Sequence, residues 1–425
     1  MLFLRKVISW LYKHSLILFL VSFFLIKIPP FYLFFPIKSA LLTTHSLSRA
    51  IILSLFALVF ARVLSRKRLN IASANKQLLT FFIIYFFFQS ISIIGSTNIS
   101  AFLQRYKDIV FPGLFLFVIL FTQNNRNKII YTLLAASFFN FFYQMLMFFS
   151  PSFFKRLGEN FIYFGHLELV NINLERARLF IETYDEIAIP FLFVIMAKQK
   201  DKRVKFLIFL LFLLIAIPSL LSNFRSRILM LAFAFLASLI LLMGRQLATS
   251  LSILFAFTVV GYLTVMLLNI FFGFSFIDRF TLQHEQEDVR TVELRLKNLG
   301  TSAEMGLASP FFGVGLGNYY DNLPAQKSIT LSLFDWRRKE AQIASTNPHN
   351  ILAQTFSETG VISFLFYIFL TFLFVSKDFK VLKHGQDDYK KAFIISFWTL
   401  YLYSIFNPTT TLTYNSLFWV LRAMI

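Results

Sequence analysis

The feature that most constrains this chain is the recurrence, from one end to the other, of apolar runs of roughly 17 to 25 residues, each able to cross about 30 Å of hydrocarbon as a helix. They fall near 15–36, 48–65, 78–97, 108–122, 129–150, 185–198, 204–221, 228–243, 249–272, 351–375, 392–406 and 409–424, mostly with short polar breaks between them. A water-soluble globule would need a polar shell around these runs. With 57% hydrophobic residues, 59 Phe and 15% charged residues the chain cannot supply one. The expected fold class is therefore all-α, a polytopic transmembrane helical bundle of about a dozen spans, forming a single membrane domain over residues 1–425.

The first run follows Arg5, Lys6 and Lys13, as a secretory signal does. Lys27, Pro29 and Pro30 stand where a small-residue cleavage site would lie, and further runs follow, so the segment is expected to remain as a span. The absence of cysteine excludes disulfides, thiolate metal sites and a cysteine nucleophile. A formal charge of +20 invites a nucleic-acid reading, yet most Lys and Arg flank the apolar runs, where membrane topology accounts for them. The expected surroundings are membrane lipids, with no nucleic acid.

Placing the N-terminus inside puts roughly twice as many span-flanking Lys and Arg on the inner side as on the outer, once the longest loop is set aside. Both termini are then cytoplasmic, and two long segments face outward: about 151–184 and about 273–350. Loops of that length on a rigid scaffold are where sites are built. Within the second, Val292, Leu296, Leu299 and Ala303 share one helical face with Arg295 and Asn298 off it, and Ser309-Pro310 marks an end, which predicts an amphipathic helix along the membrane surface.

Several polar groups sit where apolar ones would be expected. Asn347-Pro348-His349-Asn350 opens the tenth run, with Asn347 suited to N-cap and Pro348 to the first helical position, so His349 is expected in the first turn, at the outer face. There it is either a proton acceptor kept neutral by the helix N-terminus or an interfacial polar residue. Glu358, followed by Gly360, places a carboxylate inside an apolar run, for structural pairing or for substrate contact. The turn Ser222-Asn223-Phe224-Arg225-Ser226-Arg227 crowds two guanidiniums at the outer side. With Arg295 and Arg178 they are candidates to hold a pyrophosphate bidentately, the other reading being ordinary phospholipid headgroups. Gly313-Val314-Gly315-Leu316-Gly317-Asn318 lacks the strand, the glycine spacing and the lysine of nucleotide-binding loops and is read as a turn. No Asp or Glu precedes Asp108, so the first outward loop, near residues 37–47, offers no carboxylate to a hard cation.

Taken together, Ser226-Arg227, the stretch from Arg295 through Pro310 to Gly313-x-Gly315-x-Gly317-Asn318-Tyr319, and His349-Asn350 with Glu358-x-Gly360 resemble the O-antigen ligase and O-antigen polymerase superfamily. The recognisable motifs lie between about Ser222 and Val361. The resemblance implies a bacterial inner-membrane glycosyltransferase of the C-type (GT-C-like) architecture, acting on the periplasmic side without nucleotide sugar, metal or other cofactor. Its donor would be an undecaprenyl-pyrophosphate-linked glycan, and its acceptor lipid A core for a ligase or a second lipid-linked repeat for a polymerase; the ligase is the expectation here. In that reading His349 is catalytic, Arg227, Arg225, Arg295 and Arg178 bind pyrophosphate, and Asn350, Glu358 and Glu182 support them. One departure is the sequence Arg178-Leu-Phe-Ile-Glu182-Thr-Tyr-Asp185, where relatives often carry Pro-Asn or Glu-Pro-Ser after the arginine. A lipid-linked sugar flippase would be expected to show repeat symmetry and mid-membrane charges. A non-catalytic scaffold would need no convergence of Arg and His. Sugar, linkage, acceptor and oligomeric state are not written in the sequence.

Overall fold

A computed structural model describes residues 73–121, 126–149, 185–221, 225–243, 285–323, 348–407 and 412–425, together with residues 53–61 and a few isolated positions. Among the described residues the secondary structure is helical, without strands. The principal helices are α1 (Ser73–Ile91), α2 (Ile99–Phe121), α3 (Arg126–Phe149), α4 (Ile189–Lys198), α5 (Lys202–Leu221), α6 (Arg225–Met243), α7 (Glu285–Ala308), the single turn α8 (Tyr319–Asn322), α9 (Ile351–His384), α10 (Asp388–Phe406) and α11 (Leu412–Ala423). Four of the described helical stretches are long and apolar enough to cross a membrane: Lys76–Gly95, Lys202–Leu220, Arg225–Leu242 and Ile351–His384. This is an all-α membrane protein. The expected run 15–36, most of 48–65 and of 249–272, and the outward segment 151–184 lie outside the described residues.

Helix bounds exceed the apolar runs where polar residues interrupt hydropathy without interrupting the backbone. The run expected at 108–122 is the tail of α2, which begins at Ile99 and carries Gln104, Arg105, Lys107 and Asp108 in its first half. Likewise α9 continues past the expected end at 375 to His384. The run at 185–198 divides into a 3-10 turn, Asp185–Ala188, and the ten-residue α4.

Helix α4 is apolar almost all round, and the fold uses it accordingly. Phe191 and Phe193 are buried, the first edge-on to Phe393 of α10 and the second to Phe212 of α5 and Phe235 of α6. A helix without a polar face belongs inside a bundle. Too short to span on its own, it forms the centre of the core from which the site is hung.

Helix α7 reverses the usual arrangement. It ends just before Ser309-Pro310, and its polar face is the one packed on the protein: Asn298, Thr301 and Ser302 are buried with Met305. Leu296, Leu299 and Ala303 of the apolar stripe, with Leu307 below them, are exposed.

Helix α9, about 51 Å long at 1.5 Å per residue, is broken at Gly360, whose φ of 84° and ψ of 174° are open in practice only to glycine. The loop after α7 fills the break: Val361 N–H donates to Pro310 O at 2.7 Å and Val314 N–H to Ser357 O at 2.9 Å. Irregular backbone within an apolar helix is tolerated where protein covers it and completes its hydrogen bonds.

Candidate functional site

Arg225 and Arg227 open α6 two residues apart, a spacing that sends side chains to opposite sides of a helix. Arg227 turns inward and is 4% exposed. Its Nε–H donates to Glu186 Oε1 at 2.9 Å, and a terminal nitrogen stands 4.0 Å from Asp185 Oδ2. Ser219 of α5 donates to the same Glu186 oxygen at 2.6 Å, and Asn140 of α3 donates to Asp185. Four elements thus converge on two buried carboxylates and one guanidinium. The terminal nitrogens of Arg227 have no hydrogen-bond partner among the described residues.

Arg225 acts on a second arginine. Its charge acts on Arg295 of α7, which burial and then Arg225 push below the ordinary arginine range, with Tyr403 of α10 working in the opposite direction. Tyr403 also lies within electrostatic reach of Arg227. Next to Arg295 is His349, whose imidazole is lowered to about 4, first by burial and then by the Arg295 charge. At neutral pH the ring is uncharged.

The cap at the start of α9 lies three residues later than the sequence suggests. Asn350 is the N-cap, its side chain accepting from Leu352 N–H at 2.9 Å and Ala353 N–H at 3.0 Å while its Nδ2 donates to Ile405 O at 2.9 Å. His349 therefore precedes the helix instead of sitting in its first turn, and burial plus Arg295, rather than the helix end, keeps it neutral. The register shifts because Asn350 can cap the helix and bind the end of α10 at once. His349 has φ of 53°, the one positive value at a non-glycine residue among the described residues. Such backbone costs about 1–3 kcal/mol and gathers at functional sites.

Glu358 lies elsewhere. It is 1% exposed, receives Gln354 Nε2 at 3.0 Å and the backbone N–H groups of Gly317 and Tyr319, and feels Arg105 rather than the arginine cluster. The glycine-rich turn is thus a structural part held by this carboxylate. At Gly313, φ of 66° and the Glu358 backbone pressed against the place a Cβ would occupy leave room for no side chain. Asn318, fully buried, accepts from Asn98 N–H at 2.6 Å and donates to Ser96 Oγ at 2.8 Å, tying the turn to the start of α2.

The structure brings Arg225, Arg227, Arg295 and His349 into one electrostatic neighbourhood with Asn350 at its edge, and places Glu358 beneath the glycine turn. Arg178 and Glu182 lie outside the described residues. Sequence reasoning missed Asp185 and Glu186 as partners of Arg227, and missed Tyr403. An acidic pair opening an apolar run was a usable signal, since such charges demand a partner. Tyr403 gave none, being one of 16 tyrosines in aromatic-rich helices.

Residues 210–368 match the family model for O-antigen ligase. The resemblance to the O-antigen ligase and polymerase superfamily holds over that segment, which runs from α5 to the middle of α9. It contains Arg225, Arg227, Arg295, His349, the glycine turn and Glu358. Asp185, Glu186 and Tyr403 fall outside it. No curated protein matches the chain.

Proposed function

We propose that the protein is a membrane glycosyltransferase that moves a polyprenyl-pyrophosphate-linked glycan to an acceptor hydroxyl at the periplasmic face, with ligase-like transfer to lipid A core as its reaction. The family match over residues 210–368 supports lipid-linked glycan chemistry. The single observation that carries the site is the meeting of Arg225, Arg295 and an uncharged His349.

A diphosphate, with oxygens on two phosphorus atoms, matches two neighbouring guanidinium forks. Arg227, anchored by Glu186 through Nε, brings a third fork whose terminal nitrogens are buried. The arginines are set before reaction by packed helices, the arrangement that stabilises developing charge most effectively. The acceptor oxygen attacks the anomeric carbon, its proton passes to His349, and the anomeric C–O bond breaks with its electron pair leaving on the pyrophosphate. Bound pyrophosphate offsets the Arg295 charge and brings the imidazole back toward its ordinary proton affinity. The exposed apolar stripe of α7 lies on the membrane surface and holds Arg295 at headgroup height. Arg178 and Glu182 are proposed as further donor contacts, and no metal or cofactor is required.

The test is transfer from a purified undecaprenyl-pyrophosphate-linked glycan by the reconstituted protein, with and without EDTA, alongside a lipopolysaccharide gel of a deletion strain. Unchanged activity in EDTA and bare lipid A core in the strain are expected. Loss in EDTA with rescue by a divalent cation overturns the metal-free mechanism. Core bearing a single repeat unit identifies a polymerase, and an unchanged ladder with no transfer in vitro overturns both.

A further inference from the structure

Tyr319 follows the glycine turn at the start of α8 and is wholly buried, yet the proposed chemistry makes no use of it. Its ring packs with Met305, Val314 and Leu323 in a small core beneath α7. A phenylalanine would fill that core equally well. What sets tyrosine apart is the hydroxyl, which donates to Asn298 O at 3.2 Å and lies within hydrogen-bond reach of Ser302 and Thr301. These three residues are the inward polar face of α7, and Asn298 stands less than one helical turn past Arg295.

The other end of Tyr319 is held as well. Its backbone N–H donates to Glu358, as does that of Gly317. Glu358 belongs to the short first half of α9, between the cap at Asn350 and the break at Gly360, and Val314 N–H donates to Ser357 O on the same half at 2.9 Å. His349 directly precedes that cap. Tyr319 thus joins the helix that carries Arg295 to the half-helix that follows His349. Nearby, the Phe356 ring of α9 occupies the space that a side chain at Gly306 of α7 would need. An apolar contact of this kind sets spacing without direction, and the directional hydrogen bonds at Tyr319 supply the register.

We infer that Tyr319 is a positioning residue that, bound at one end to Glu358 and at the other to Asn298, sets Arg295 against His349. The inference rests on the transferase reading for its bearing on activity, and the placement itself can be measured without transfer.

The chain has no cysteine, so Leu296→Cys, at an exposed site of α7, and Ala353→Cys, at a half-buried one of α9, take spin labels without background. Pulsed EPR on the full-length protein in lipid nanodiscs should give a narrow distance distribution in the parent and a broader or displaced one in Tyr319→Phe, which loses only the hydroxyl. His349 supplies a second reading. Its imidazole is lowered to about 4, first by burial and then by Arg295, so a less closely held Arg295 should let it titrate at higher pH in Tyr319→Phe. NMR of ring-labelled histidine, assigned with His349→Gln, measures this. In the transfer assay kcat should fall about 10- to 100-fold from misplacement alone. Adding Tyr319→Phe to Arg295→Lys should lower transfer little beyond Arg295→Lys, because the tyrosine acts through the arginine. Glu358→Gln, which loosens the same tie from the α9 side, serves should Tyr319→Phe accumulate poorly. An unmoved label distance together with an unmoved His349 titration overturns the assignment whatever the activity does, and so does a fully additive loss in the double variant. A parent that transfers no lipid-linked glycan, while label distance and titration both move in Tyr319→Phe, removes the transferase reading and leaves the tie standing.

Discussion

Arg227 and Arg295 both lie within electrostatic reach of Tyr403, yet the fold holds their charges in opposite ways. Arg227 faces two carboxylates and is buried; Arg295, half-buried, has Arg225 and the ring of His349 for neighbours. The first guanidinium is held by carboxylates of the protein itself, and the second lies within reach of a like charge. The lesson is that arginines crowded at one end of a bundle are not equivalent: Arg227 ties elements of the fold together through Nε, whereas Arg295 feels a like charge beside it.

The largest effect expected is at the histidine beside Arg295. His349→Ala should lower transfer by about 10² to 10⁴, the usual worth of positioned proton transfer, with protein accumulating as in the parent. Transfer assay and immunoblot read the two quantities. Substantial activity in His349→Asn would reduce the ring to a hydrogen-bonding role.

The comparison breaks most directly at Arg227. Arg227→Met should destabilise the protein by about 3–5 kcal/mol, because it leaves Asp185 and Glu186 buried without their cation. Lower accumulation and a lower unfolding temperature in detergent would show it. Adding Asp185→Asn and Glu186→Gln should restore much of the loss. A stable, inactive Arg227→Met would leave this arginine its ligand contact and remove the anchoring role.

Arg295→Lys should leave accumulation unchanged and reduce transfer by about 10- to 100-fold, since an ammonium keeps the charge but not the planar fork. Full activity would remove Arg295 from the site.

The smallest effect is a displacement in pH. His349 is lowered to about 4 in the free protein, so protonation should cut kcat/KM only as pH falls toward that value. Bound pyrophosphate raises the imidazole, and the acid limb of kcat should therefore lie at higher pH. Coincident limbs, or a limb that persists in His349→Ala, would contradict the coupling of this ring to Arg295 and the anion.

Hydropathy alone determined that the chain is a helical membrane protein, because a span of about 30 Å of hydrocarbon imposes a length and a composition that no tertiary detail can relax. The motif residues around Arg227, Arg295 and His349 could likewise be picked out in the chain, being polar groups where apolar ones are the rule. The amphipathic pattern of α7 was readable, but not the direction it faces; only packing decided that Asn298, Thr301 and Ser302 go inward and the leucines outward. Helix ends were misjudged where backbone continued through polar residues, as at the start of α2, since hydropathy reports solvent preference and not hydrogen bonding. The division of labour among the arginines was decided by tertiary structure alone. Asp185 and Glu186 are some forty residues from Arg227 and Tyr403 more than a hundred from Arg295, and electrostatics depends on distances in space that the order of residues along the chain does not contain.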